Sequence, residues 1–378
     1  MNFNHIPKLR IGDLEARIPI IQGGMSVGVS LSRLASAVAN EGGIGVIGGT
    51  GIGMLEPDFA SNFREANRRA LSQEIRKARE ATSGIIGVNI LVALTDYEEL
   101  LLVAIEERVD LVFLGAGLPL MSPKTTAMDK LKASPTKAVS IVSSARAAKI
   151  IFTHWAKRYQ HVPDAVVVEG PLAGGHLGFK KEQIEDPDHA LEKILPEVIA
   201  AIKPFEGPFG KSIPVIAAGG IYTGADIHKF MQLGASGVQM ATRFAATDEC
   251  DASPQFKEAY VNCKKEEIII IESPVGLPGR AIRNKYLDEV SGGIKQPVRC
   301  PWQCLRTCDF TKAPYCIALA LTNAKRGDLA EGFAFAGANA YRIDKIVSVK
   351  ELMESLVEEY EEAKSKAIQS GSETLNDP

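Results

Sequence analysis

The histidine in the clearest chemical setting is His176, which stands among glycines in the segment AGGHLG, a few residues beyond an apolar run. A histidine in such a loop can act as a general acid or base near neutral pH. The plainer alternative is a loop histidine that caps a backbone carbonyl. The glycines on both sides favour a catalytic role. Glu169, at the end of the preceding apolar run, is expected to contact a cofactor or to hold a loop by a hydrogen bond.

Four of the six cysteines form a second group, with the spacing C-x₃-C-x₃-C-x₇-C: Cys300, Cys304, Cys308 and Cys316. Pro301 is predicted to open a helix, which would place the next two thiols one turn apart on one face. Four thiols can complete a tetrahedral Zn²⁺ site or hold an iron–sulfur cluster. The alternative is packing alone, because a free cysteine behaves as a small hydrophobic residue.

The elements that must position these residues are short, nearly continuous apolar runs separated by helical patterns. The runs are residues 18–21, 44–47, 85–91, 111–114, 138–142, 165–168, 213–217 and 237–240. This pattern is typical of parallel strands that are buried on both faces. Eight such units in about 245 residues predict a (β/α)₈ TIM barrel. The alternative, an open doubly wound sheet, would require a G-x-G-x-x-G turn after the first strand, and none occurs there.

After the eighth run the pattern changes to prolines, glycines, the cysteine group and two further helical patterns. We therefore predict two parts. Residues 1–245 form the barrel, and residues 246–378 form a cap or substrate region with the cysteines and the C-terminal helices.

Glycine clusters follow five of the runs: Gly23 and Gly24, Gly48 and Gly49, Gly115 and Gly117, Gly174 and Gly175, Gly219 and Gly220. In a (β/α)₈ barrel these strand ends form the reactive face, and the loops after strands 7 and 8 are the usual phosphate site. One phosphate site without a second favours a mononucleotide such as FMN. A phosphorylated substrate in the same place remains the alternative.

The composition excludes several classes of partner. The net charge is −3 and no basic block is present, so we expect no binding to nucleic acid. No apolar run reaches the length of a membrane span, and the first residues lack the apolar segment of a secretory signal. We expect a cytoplasmic protein with a small-molecule substrate that could form a homo-oligomer.

Six segments in the same order resemble the nitronate monooxygenase (2-nitropropane dioxygenase) family, which includes flavin-dependent enoyl-ACP reductases. They are PIIQGGM, GVNI, EGPLAGGHLG, IPVIAAGGI, GASGVQMATRF and SPVGLPGRAIRN. The resemblance implies a barrel that holds FMN non-covalently, with Gly24 and Met25 against the flavin and Asn89 at its polar edge. It places Gly174 and Gly175 beside the cofactor and His176 at the active site, and we count Glu169 among the expected cofactor contacts from its place at the strand end. It also places five residues around the ribityl phosphate: Gly219, Gly220, Gln239, Ala241 and Thr242.

The resemblance leaves the substrate open. Leu177 stands where the best-defined nitronate monooxygenases tend to have arginine, and residues 115–119 look closer to the enoyl reductases. The first hypothesis is an FMN oxidoreductase that oxidises alkyl nitronates or uses NAD(P)H to reduce an acceptor. The second is an enoyl-thioester reductase, and the third is a barrel that binds a phosphorylated ligand without flavin. Flavin chemistry nearby would favour an iron–sulfur cluster over zinc at the four cysteines.

Overall fold

Eight parallel strands close into a barrel in the computed structural model, which describes residues 6–120, 126–295, 300 and 302–371. In chain order the strands are β1 (Leu9–Ile11), β2 (Leu14–Ala16), β3 (Ile20–Gln22), β4 (Ile44–Gly48), β5 (Ile85–Leu91), β6 (Leu111–Gly115), β7 (Lys137–Val142), β8 (Ala165–Glu169), β9 (Gly175–His176), β10 (Val215–Ala218), β11 (Gly237–Met240), β12 (Ile268–Glu272) and β13 (Pro278–Ile282). The barrel runs from β3 to β8, then through β10 and β11, and closes where Val238 pairs with Ile20. All eight predicted runs are barrel strands. The (β/α)₈ prediction is confirmed, and the open sheet is excluded.

Thirteen helices belong to the described chain. They are α1 (Ser32–Asn40), α2 (Phe59–Ala81), α3 (Tyr97–Glu106), α4 (Ala127–Ala133), α5 (Ala145–Tyr159), α6 (Leu191–Ile202), α7 (Glu206–Phe209), α8 (Gly224–Gln232), α9 (Thr242–Ala245), α10 (Pro254–Asn262), α11 (Lys285–Ser291), α12 (Ile317–Arg326) and α13 (Val349–Gln369). Within the described residues, no helix is both long and apolar enough to cross a membrane.

The barrel interior is apolar and is closed at one end. Val46, Phe113 and Val167 belong to a cluster of inward-facing side chains, and each is at most 1% exposed. The hairpin of β1 and β2 adds Leu9 and Ile11 to this cluster and covers the N-terminal ends of the strands. A ligand can therefore reach the interior only from the C-terminal ends.

The C-terminal helix α13 packs against α8 and α1 on the outside of the barrel. Its buried stripe includes Leu352, Leu356 and Tyr360, and Glu359 accepts a hydrogen bond from the backbone N–H of Gly224 at 2.7 Å. We expected this helix in the cap, but it lies where a (β/α)₈ barrel has its eighth helix, because its apolar stripe needs a partner surface. The division at residues 245 and 246 stays a prediction.

The chain between β11 and α13 carries the antiparallel hairpin of β12 and β13. Strand β9, which contains His176, joins this hairpin: Gly279 pairs with His176, and Arg280 pairs with Gly175. The loop that follows β8 is thereby tied to the cap rather than left free at the barrel mouth.

The cysteine segment does not form the predicted helix. Pro301 lies outside the described residues, and residues 302–316 contain turns but no helix. Instead the backbone follows the loop after β5. Thr95 donates to the carbonyl of Cys304 at 3.0 Å, and Arg306 donates to the carbonyl of Ala93 at 2.9 Å. These bonds use backbone groups that a helix would have paired internally.

Candidate active site

Three polar side chains stand on top of the apolar barrel interior. Asn89, Glu169 and Gln239 lie near the C-terminal ends of β5, β8 and β11. Ala218 of β10 pairs with both Glu169 and Gln239, so these two residues lie at one level. Adjacent strands are about 4.8 Å apart, and the two backbones therefore stand roughly 10 Å apart.

None of these three side chains makes a hydrogen bond to another residue of the described chain. Asn89 is only 8% exposed. Burial raises the pKa of Glu169 to about 7, because no partner stabilises the charged form. Within the described chain Glu169 therefore has no partner through which it would hold a loop. Asn89 is buried, whereas Glu169 and Gln239 are half-buried. Polar side chains at a barrel mouth without a protein partner are suited to a bound ligand.

Gly24 brings the β3 end directly against Asn89. A Cβ atom at Gly24 would lie 2.5 Å from the Cβ of Asn89 and 3.1 Å from Val46. Only glycine permits this approach. Met25 follows, and its backbone N–H donates to the Ser30 hydroxyl at 2.8 Å. The structure therefore places Gly24, Met25 and Asn89 on one wall of the mouth.

The turn after β10 faces a second group of residues. Gly219 and Gly220 have φ angles of +90° and +85°, which residues with side chains rarely adopt. Ala241 precedes the short helix α9, which begins at Thr242. Thr242 Oγ1 accepts a hydrogen bond from the backbone N–H of Gly337 at 3.0 Å.

The loop at residues 336–339 covers this turn and was missed by the sequence analysis. Asn339 Nδ2 donates to the carbonyl of Gly220 at 2.7 Å, and Ala338 donates to the carbonyl of Leu172 at 3.0 Å. A Cβ atom at Gly174 would lie 2.5 Å from the backbone of Ala336. The loop thus connects the histidine segment with the turn after β10. In the sequence, this loop is marked only by the run of small residues in FAFAGANA.

His176 lies under the cap hairpin with its ring partly buried. Its Nε2 atom is 2.7 Å from the Ser273 hydroxyl, and the ring meets the Phe335 ring edge-on at 5.0 Å. Burial lowers the pKa of His176 to about 4, so the imidazole is neutral at pH 7. Its partner is a side-chain hydroxyl rather than the backbone carbonyl of the plainer alternative. Gly175 beside it has a φ of +80°, and a Cβ there would meet open space.

Arg280 on β13 contacts the segment that leads to His176. The sequence analysis did not single it out. Its Nη1 atom donates to the carbonyls of Pro171 and Ala173, both at 2.6 Å. The residue is 6% exposed, and burial lowers its pKa to about 10, so the guanidinium is still charged at pH 7. A buried cation that donates to two carbonyls of one loop fixes the position of the segment that leads to His176.

The four cysteines of the second group come together at the edge of the mouth, where they line one pocket. Among the described residues, no three His, Cys, Asp or Glu side chains are arranged to hold a single metal ion. The zinc alternative therefore has no support from this geometry.

Comparisons with known proteins give the family of this chain. The family model described as nitronate monooxygenase matches residues 9–107 and 93–359. Probable nitronate monooxygenases of two Staphylococcus aureus strains, JH9 and Newman, are 28% and 29% identical over 311 residues, which are 74% of this chain and 79% of theirs.

Two solved structures cover almost the whole chain. FabK from Thermotoga maritima is 29% identical with a TM-score of 0.71, over 94% of this chain and 96% of that one. Nitroalkane oxidase from Streptomyces ansochromogenes is 23% identical with a TM-score of 0.69, over 93% and 98%, which shows the fold alone. Because the family model matches most of the barrel and the cap, this chain belongs to the nitronate monooxygenase family and is a flavin-dependent oxidoreductase.

Proposed function

We propose that the protein binds FMN across the barrel mouth, with the ring system beside Gly24, Met25 and Asn89. The unpaired amide of Asn89 supports this placement, because the polar edge of a flavin would supply the missing hydrogen-bond partner. The close approach at Gly24 supports it too, since a flat ring needs a wall without side chains.

The phosphate of FMN is proposed to lie at the opposite side of the mouth, against the turn after β10. Backbone N–H groups in a left-handed glycine turn form an anion-binding concavity. The residues proposed to line the cofactor between these two ends, or to hold its phosphate, are Glu169, Gly174, Gly175, Gly219, Gly220, Gln239, Ala241 and Thr242.

The activity we propose first is the oxidation of alkyl nitronates. FMN, when bound, supplies the electron chemistry, and the protein supplies placement and proton management. His176 is neutral at pH 7, so it can accept a proton or a hydrogen bond from the substrate at a ring nitrogen. The Ser273 hydroxyl orients the ring, and the hairpin of β12 and β13 shields it from water.

The second candidate is the reduction of an enoyl thioester with NAD(P)H as electron donor. The near-complete coverage of FabK favours it, as do residues 115–119. Such a reaction needs a proton donor, and Glu169 with a pKa of about 7 is half protonated at neutral pH.

A visible spectrum of the purified protein tests cofactor binding, and we expect a flavin spectrum. A protein that carries no flavin and does not bind added FMN would refute the proposal and leave a barrel for another phosphorylated ligand. Anaerobic mixing with NADH, NADPH or an alkyl nitronate then shows which donor bleaches the flavin. Turnover with a nitronate in air favours the first activity, and turnover with a crotonyl thioester and NAD(P)H favours the second.

A further inference from the structure

The strongest feature outside the flavin site is the group of four cysteines. All four are free thiols, and all four line one pocket. The other two cysteines differ, since Cys250 and Cys263 are buried and hydrogen-bond nearby backbone carbonyls. Packing alone would bury the four in the same way, yet each remains partly exposed.

The four sulfurs are mutual neighbours. Each of the six pairs among them interacts electrostatically.

The geometry does not favour a single ion, since among the described residues no three His, Cys, Asp or Glu side chains are placed to hold one metal ion. In a [4Fe–4S] cluster each cysteine binds a different iron, so the sulfurs surround a larger volume.

Two further groups in this pocket suit a cluster. The backbone N–H groups of Ala318 and Leu319, in the first turn of α12, hydrogen-bond the sulfur of Cys316, and such bonds stabilise cluster thiolates. Tyr315 also lines the pocket, and its buried hydroxyl has no partner within the described chain. A cluster sulfur could serve as its acceptor.

The segment is firmly attached to the barrel mouth. Leu305 pairs with Leu94, the backbone of Cys304 bonds to Thr95, and the Trp302 ring packs on Phe59 at 5.1 Å. Leu94 and Thr95 belong to the loop that follows β5, the strand that carries Asn89. The pocket therefore lies on the Asn89 side of the mouth, and β5 stands across the barrel from β10.

We propose that Cys300, Cys304, Cys308 and Cys316 hold a [4Fe–4S] cluster at the edge of the barrel mouth. This proposal does not depend on the identity of the flavin substrate, and its test does not measure turnover.

Anaerobically purified protein, reconstituted with ferrous iron and sulfide and then desalted, is analysed for iron, acid-labile sulfide and zinc. We expect about four iron and four sulfide per chain, and an electron paramagnetic resonance signal of a reduced cluster after dithionite. Two of each, zinc in place of iron, or folded protein without bound iron would each overturn the proposal.

The variant Cys304→Ser should lose most of the iron, whereas the matched control Cys263→Ser should keep it. Thermal unfolding shows whether each variant folds. If Cys304→Ser does not fold, the more exposed Cys308→Ser replaces it in the same analysis. Equal iron content in the folded cluster variant and the control would show that these thiols are not ligands.

Discussion

The variant Glu169→Gln tests whether the mouth carries an unpaired, buried carboxyl group. The pKa of Glu169 is raised from 4.5 to about 7 by burial. The pKa of this carboxyl group is higher in the folded protein than in the unfolded chain. Such a group contributes stability at pH values below its pKa in the unfolded chain, and this contribution is lost as the pH rises through its pKa in the folded protein. Each pKa unit corresponds to about 1.4 kcal/mol, so the flavin-free protein should lose about 3 kcal/mol from this group between pH 4.5 and pH 7.

Glutamine has no such charge to bury. We therefore expect Glu169→Gln to be about as stable as the parent near pH 4.5 and more stable by up to about 3 kcal/mol at pH 8. Urea unfolding of the flavin-free protein at the two pH values measures the difference. Glu272→Gln is the matched control, because Glu272 is largely exposed on the cap hairpin. A difference that is the same at both pH values would refute the argument that burial controls Glu169.

Repeating the measurement with FMN present connects this group to the cofactor. If Glu169 lines the flavin, the pH dependence of the difference should change when FMN is added. An unchanged pH dependence would remove Glu169 from the proposed cofactor contacts.

Three further variants test the proposed site. His176→Ala should keep FMN but slow turnover by roughly 10²–10⁴; unchanged turnover would remove His176 from proton transfer. Gly24→Ala should weaken FMN binding, measured by fluorescence titration, because the new Cβ would lie 2.5 Å from that of Asn89. An FMN affinity equal to that of the parent would contradict the placement of the flavin beside Gly24. Arg280→Met should lower the free energy of unfolding in urea by about 2–4 kcal/mol through the loss of two charge-assisted hydrogen bonds, whereas the exposed Arg283→Met should change it little.

The barrel could be predicted from the sequence because its signal is local. Each strand is a short apolar run, and the runs recur with helical patterns between them. Burial on both faces requires continuous apolar residues whatever the rest of the chain does. The same periodicity located the strand ends that carry Glu169 and Gln239, whereas Asn89 was named through the family resemblance.

The residues of the site that lie outside the barrel strands could not be predicted in this way. The 336–339 loop, Ser273 and Arg280 reach the histidine segment from positions about 100 or more residues away along the chain. Their residue types are ordinary, and no periodic pattern marks them. The helix predicted at the cysteines was wrong for a related reason, since that backbone pairs with the loop after β5 instead of with itself.

By itself, the sequence determined the eightfold barrel, the glycine turns at its mouth and the placing of His176 in a loop at that end, since these follow from apolar periodicity and backbone freedom over a few residues. Only the tertiary structure decided the outer position of α13, the neutral state of His176 beneath the cap and the convergence of four thiols on one pocket. These depend on burial and on contacts between distant segments, which no local pattern encodes.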